Sequence, residues 1–136
     1  MLLLLPFAGD KFMDRSEFLR IVKKQFPDLR EPINKEQGLL HFEVDVLRRY
    51  SQRAIFEGDR QALANCFKIA EQAYLEGNRS LKNAIDISFV EDLDFVTPHI
   101  RYDWAWDMLP IPLKSLYKAF HSDVLHNFDI TNDRPL

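Results

Sequence analysis

His41 and Asp45 stand one helical turn apart, as do Asp123 and His126, and on a helix such spacings put imidazole and carboxylate on one face, the beginning of a metal site. A metal centre in a helical bundle needs further ligands from facing helices, and the Glu-x-x-His pattern that supplies them does not occur in the chain. No metal and no cofactor is therefore expected. The available nucleophiles, Ser51, Ser80, Ser88, Ser115 and Cys66, have no glycine elbow and no acid-base neighbour in the sequence. The four glycines, Gly9, Gly38, Gly58 and Gly77, are isolated, so no loop is built to cradle phosphate. Carboxylates abound, but with no pattern that gathers them they read as surface. The expectation is a protein that is not an enzyme; the opposing reading is an enzyme whose metal site this spacing does not reveal.

Composition narrows the classes further. With 136 residues, 46% of them hydrophobic, the chain can bury a core without disulfides or metal. The single cysteine, Cys66, falls on an apolar helix face, where a small buried side chain is the better reading than a reactive thiol. A net charge of -3 and a pI near 5.8 do not provide the basic footprint of a nucleic-acid binder, and favour a basic partner if any. The apolar run Met1 to Leu5 ends at Pro6, too short to span a membrane and without the leader of a secretory signal. These features suggest a cytoplasmic protein that engages neither membrane nor nucleic acid.

The elements that must position any site are helices. Asp14 and Glu17 form a capping box before a first helix from about Arg15 to Gln25, with Phe18, Leu19, Ile21, Val22 and Phe26 on its apolar side. Met13 reads as a second beginning of the chain, so residues 1–12 are assigned to an extension or disordered N-terminus, 13–128 to a single helical domain and 129–136 to a frayed C-terminal tail. Pro27 stops the first helix, and Asp28 to Gly38 reads as a loop with Leu29 and Ile33 tucked down. A second helix, Leu39 to Glu57, has two apolar flanks, and its polar side holds Asp45, Arg48, Arg49, Gln52 and Arg53. A third spans about Arg60 to Glu76, and a fourth about Leu81 to Leu93, with Ser80 as a cap candidate. The near copies Ala54-Ile55-Phe56-Glu57-Gly58-Asp59 and Ala73-Tyr74-Leu75-Glu76-Gly77-Asn78 predict two tight reversals, each with a left-handed glycine and an Asp or Asn capping the next helix. Their spacing is one helix, which excludes tetratricopeptide units of about 34 residues.

Residues 96–112 change character, with both tryptophans and three of the prolines. They are expected to form a long aromatic connection, leading through Leu109-Pro110-Ile111-Pro112 into a last helix, Leu113 to Asn127, whose core side is Leu113, Leu116, Tyr117, Phe120 and Val124. In an extended segment Trp104 and Trp106 point the same way, either as a lid over the helix grooves or as exposed anchors for a partner. Glu91, Asp92 and Asp94 crowd a helix C-terminus, where the macrodipole disfavours negative charge. The candidate partner surface is therefore Glu91, Asp92, Asp94, Asp103, Trp104, Trp106 and Asp107.

Phe67-Lys68-Ile69-Ala70-Glu71, then Gly77-Asn78, then Asn83 to Leu93 resemble a family of small helical bacterial proteins that is itself a domain of unknown function. The resemblance covers Ser16 to Leu93 and, more weakly, the tryptophan, Leu-Pro and helix ending. It implies a compact bacterial cytoplasmic protein of the kind that serves as an immunity partner of a secreted toxin, and it carries no functional residue with it. The resulting expectation is an all-α bundle of about five helices that acts by protein binding, as an immunity-like inhibitor of a bacterial toxin or, alternatively, as a homo-oligomeric scaffold.

Overall fold

Asp14 opens the first element as its sequence position demands: its Oδ1 accepts the Glu17 amide at 2.9 Å, and α1 runs from Arg15 to Gln25. The computed structural model describes residues 11–123, 128–129 and 134–135; the run Met1 to Leu5, Gly9, Val124 and the Asp123–His126 pair lie outside what is described. Phe18, Leu19 and Val22 turn inward, and Lys23 and Lys24 occupy the last turn, where the macrodipole favours positive charge.

The stretch expected to be a loop is instead wound. A 3₁₀ turn, Pro27–Leu29, feeds directly into a short helix α2, Arg30–Asn34. Both prolines fit because amides in a first turn have no intrahelical acceptor, so Pro27 and Pro32 sacrifice no hydrogen bond. Leu29 and Ile33 are buried as expected, and Ile33 packs into the core at 1% exposure. Gln37 and Gly38, both at left-handed φ (55° and 84°), then turn the chain into α3, Leu40–Glu57.

The two middle reversals are real, but they are built differently. Gly58 ends α3 at φ 74°, and Asp59 Oδ1 caps α4, Arg60–Glu76, by accepting the Ala62 amide at 3.1 Å. Gly77 is extended instead, at φ -71° and ψ 157°. The cause is Met13, buried at 1% exposure, which forms a parallel bridge there: its amide donates to Glu76 O and its carbonyl accepts from the Asn78 amide, each at 2.8 Å. Asn78, not Ser80, caps α5, Arg79–Ile85, through its Oδ1 and the Leu81 amide. Glycine is still required at 77, for a steric reason: a Cβ would lie 2.2 Å from Ala73 O and 3.1 Å from the Leu81 side chain. Gly77→Ala is accordingly expected to cost about 1–3 kcal/mol in urea unfolding. Gly58→Ala, strained but with nothing within 4 Å of the new Cβ, is expected to cost about 1 kcal/mol. The reverse order would contradict the bridge.

Beyond α5 the helix widens into a π-helical turn, Asp86–Val90, closed by the Glu91 amide donating to Asp86 O at 3.2 Å. The sequence explains the widening. Apolar residues stand at 85, 89 and 90, and an α-helix would turn Val90 away from Ile85, whereas the wider turn brings all three inside at 0% exposure. Ile87 is left outward, 43% exposed. This segment packs on α3, and α3, α4 and α5 pack on one another to surround Leu47, Ile55, Leu63, Phe67, Leu81 and Ile85.

The long aromatic connection is also partly helical. Thr97 to Ile100 make a tight turn, with the Thr97 amide bonded to Ile100 O at 2.8 Å, and the Tyr102 amide returns to Phe95 O at 2.7 Å. α6, Asp103–Met108, follows. Trp104 and Trp106 therefore lie on a helix, roughly 200° apart, and face different ways. Trp106 is 2% exposed and meets Phe95 and Tyr117 edge-on at 5.4 and 5.3 Å. The last helix, α7, spans Ile111–Asp123; Leu113 and Tyr117 face the core as expected, while Phe120 is 39% exposed. The described part of the tail is paired, Phe128 with Pro135 and Asp129 with Arg134, in a two-residue antiparallel ladder. All seven α-helices among the described residues thus belong to an all-α fold with two more helices than the periodicity predicts, because α2 and α6 are single-turn elements too short to show a period.

Candidate functional site

Seven residues were singled out by sequence, and the structure separates them. Asp103 and Asp107, one turn apart on α6, clasp one cation: Arg134 lies 3.5 Å from Asp103 Oδ1 and 2.9 Å from Asp107 Oδ1, and Arg101 lies 3.4 Å from Asp103. Trp104 is half-buried beneath Arg60, whose guanidinium sits 4.5 Å from the ring centroid. Trp106 is interior and does not belong to any surface in this fold. The extended-segment reading, in which both rings point together, fails because α6 replaces the extended backbone.

Glu91, Asp92 and Asp94 stand apart from that group, at the end of the π-helical turn. Among the described residues no cation pairs with their carboxylates or with that of Asp86. Burial, then the charges of Asp86 and Asp92, push the Glu91 carboxyl above its ordinary pKa, and burial does the same to Asp86. Asp94 is held by its backbone: Gln52 Nε2 donates to Asp94 O and the Asp94 amide donates to Gln52 Oε1, both at 2.9 Å. Gln52, assigned to the solvated face by periodicity, is 7% exposed for this reason. The glutamine fixes the loop that carries the acids.

His121 closes the other side of this loop. Its ring stacks on Tyr117 at 3.9 Å, and its Nε2 is buried with no partner among the described residues. Burial lowers its pKa from the ordinary 6.5, against the opposing pulls of a Glu91 backbone bond and the Asp94 charge. The folded chain therefore binds fewer protons here than the unfolded one, so the contribution of His121 is present above pH 6.5 and is lost as pH falls through the depressed value. Asp86 and Glu91, shifted upward, act with the opposite sign. The melting temperature of the parent is thus expected to fall relative to that of His121→Phe between pH 7 and 5.5, and a constant difference would contradict the buried imidazole.

The other chemical candidates resolve into structure. His41 does not join Asp45; its Nδ1 lies 2.6 Å from Ser88 Oγ, while Asp45 accepts from Arg48 at 2.9 Å and Arg49 at 3.1 Å. The His41–Ser88 contact joins two helices that sequence spacing could not connect, and no acid orients the imidazole among the described residues. Cys66 is fully buried, which raises its pKa to about 11 and makes it unreactive. Among the described residues no three His, Cys, Asp or Glu are placed to hold a metal ion, and no helix is long and apolar enough to cross a membrane. Sequence reasoning missed the strongest ion pair: Arg15 Nε and Nη2 donate to Glu43 Oε1 and Oε2 at 2.7 and 2.6 Å, with Glu43 2% exposed. Glu43 sits on the inner side of α3 beside Val44 and Leu47, and that interruption of an apolar stripe was the available signal.

The family model of a domain of unknown function, DUF7674, matches residues 19–123, well over half of the chain, and the chain belongs to that family. No curated protein and no solved structure matches it.

Proposed function

We propose that this DUF7674 protein acts by binding another protein, as an immunity-like inhibitor of a bacterial toxin, and that the acids at the end of the π-helical turn are what it presents. The observation that supports this reading is that, among the described residues, no cation pairs with the carboxylates of Asp86 at the start of the π-helical turn or of Glu91, Asp92 and Asp94 after it, where Gln52 pins the backbone at Asp94. Like charges gathered at a helix C-terminus oppose both each other and the macrodipole, so a fold that retains them loses stability there. A basic partner surface removes that repulsion and gains speed of association from the same field. Trp104, partly buried on α6 beneath Arg60, supplies the edge of an aromatic contact beside a second acidic pair.

The test is a titration of the purified chain against the protein encoded by the neighbouring gene, read by calorimetry and by inhibition of that protein's activity. Micromolar or tighter binding is expected, weakened at least tenfold by Glu91→Lys/Asp92→Lys. Absence of binding, or binding indifferent to the charge reversal, would reject the reading. The scaffold reading has one observation in its favour: Leu39 and Phe42, one turn apart at the start of α3, are 55% and 56% exposed. A concentration-independent monomer in sedimentation would remove it.

A further inference from the structure

We propose that the groove between α1 and α2 is a binding site for a compact ligand bearing two or more adjacent phosphates. The groove encloses about 590 Å³, and its walls carry Arg15, Arg20, Lys23, Lys24 and Arg30 together with the Ser16 hydroxyl, with no carboxylate among the lining residues. Five cations meeting in one concavity stand out in a chain whose net charge is -3.

The internal contacts of these cations leave the groove with excess positive charge. Arg15 is fixed by Glu43, Arg20 is only 3.8 Å from Glu17 at an exposed position, and Lys23 Nζ donates to the neutral Asn34 Oδ1 at 2.7 Å. Lys24 and Arg30 are exposed and pair with nothing among the described residues. Lys23 and Lys24 suit the C-terminal end of α1, but Arg30 does not share that explanation, since it begins α2, where the macrodipole opposes positive charge. Arg20, Lys23 and Lys24 are three and four residues apart, so their stems rise side by side at about 5–6 Å, and Arg30 comes from the other wall. That spacing suits one small, multiply charged ligand better than an extended acidic peptide, whose successive side chains on one face lie about 7 Å apart. Guanidinium groups add a planar fork that matches phosphate oxygens two at a time.

The full chain titrated with sodium tripolyphosphate at low ionic strength is expected to bind at submillimolar Kd and to melt at higher temperature. Lys24→Glu/Arg30→Glu changes two exposed side chains, one favoured and one opposed by the macrodipole of its helix so that the two effects offset, and is expected to weaken binding at least tenfold while leaving helicity and the ligand-free melting temperature near those of the parent. ATP binding more than tenfold tighter than tripolyphosphate would assign the phosphates to a nucleotide, and equal binding would assign them to a phosphate chain. No binding of either, or equal binding by an oligoglutamate of matched charge, would overturn the proposal, the second outcome giving the groove to an acidic protein segment. Because the variant leaves Glu91 and Asp92 untouched, failure here is separable from failure of the acidic face.

Discussion

Trp106→Ala is expected to lower the unfolding free energy by about 3–5 kcal/mol, the cost of emptying a large aromatic site in a packed core. Trp106 is the centre of an aromatic cluster that ties three elements together: Phe95 from the loop after the π-helical turn, Trp106 from α6 and Tyr117 from α7, with ring centroids 5.3–5.4 Å apart. Lys114 Nζ also approaches the indole, at 5.4 Å from its centroid. A single-turn helix such as α6 has no stability of its own, so it exists because Trp106 and Ala105 are buried on this cluster. Trp104→Ala is the comparison. That ring gains a cation–π contact with Arg60 and partial burial, and its loss is expected to cost about 1 kcal/mol. Urea unfolding of the two variants checks both values, and similar losses would mean that the two indoles are not divided between core and surface.

The second large effect belongs to Arg15→Met, expected at about 3 kcal/mol. Glu43 is 2% exposed and receives two guanidinium hydrogen bonds from Arg15, so removing the arginine leaves a buried carboxylate without its counter-charge. The same contact raises the Arg15 pKa, chiefly through the Glu43 hydrogen bond. Arg15→Lys keeps the charge but loses the fork, and about 1–1.5 kcal/mol is expected. Arg15→Met/Glu43→Leu removes the charges together and is expected to recover most of the loss, because an apolar pair of similar size has no desolvation to offset. If the double variant were as unstable as Arg15→Met, the pair would be acting through packing and not through charge.

These contacts show where the sequence could be read and where it could not. The long helices were legible because capping residues and Gly58 marked their ends: α1 and α4 begin and end where Asp14, Gln25, Arg60 and Glu76 predicted, and α3 differs by one residue. The reversal at Gly77 was legible as a turn, but its backbone was not, since the conformation there is imposed by Met13 from more than sixty positions away. A local near-repeat carries no trace of that partner. α6 was hidden for a different reason. Six residues are less than two turns, so Trp104 and Trp106 satisfy a strand's alternation as well as a helix's periodicity, and only burial against Phe95 and Tyr117 decides between them.

The candidate site was legible in part. Glu91, Asp92 and Asp94 are marked by negative charge at a helix end, which is a local signal, and the structure puts Glu91 within the field of Asp92 and of Asp86, which the spacing did not single out. Gln52 and His121, which hold that loop, could not be found from spacing because they arrive from α3 and α7. Trp106 falls among the acids in sequence, but adjacency in the chain does not tell which side of a helix each residue occupies, and on α6 its ring is interior.

Hydrogen exchange of the complex with the neighbouring gene's protein tests the central claim most directly, that the acids after α5 are the partner face. The Glu91 amide closes the widened turn on Asp86 O at 3.2 Å and Asp92 is exposed, so these two amides are expected to exchange faster in the free chain than that of Asp94, which Gln52 holds. On complex formation the account predicts strong slowing across 86–94, with α1 and α2 unchanged. Slowing confined to the first turns of α3 or to the α1–α2 groove, with 86–94 exchanging as before, would contradict it.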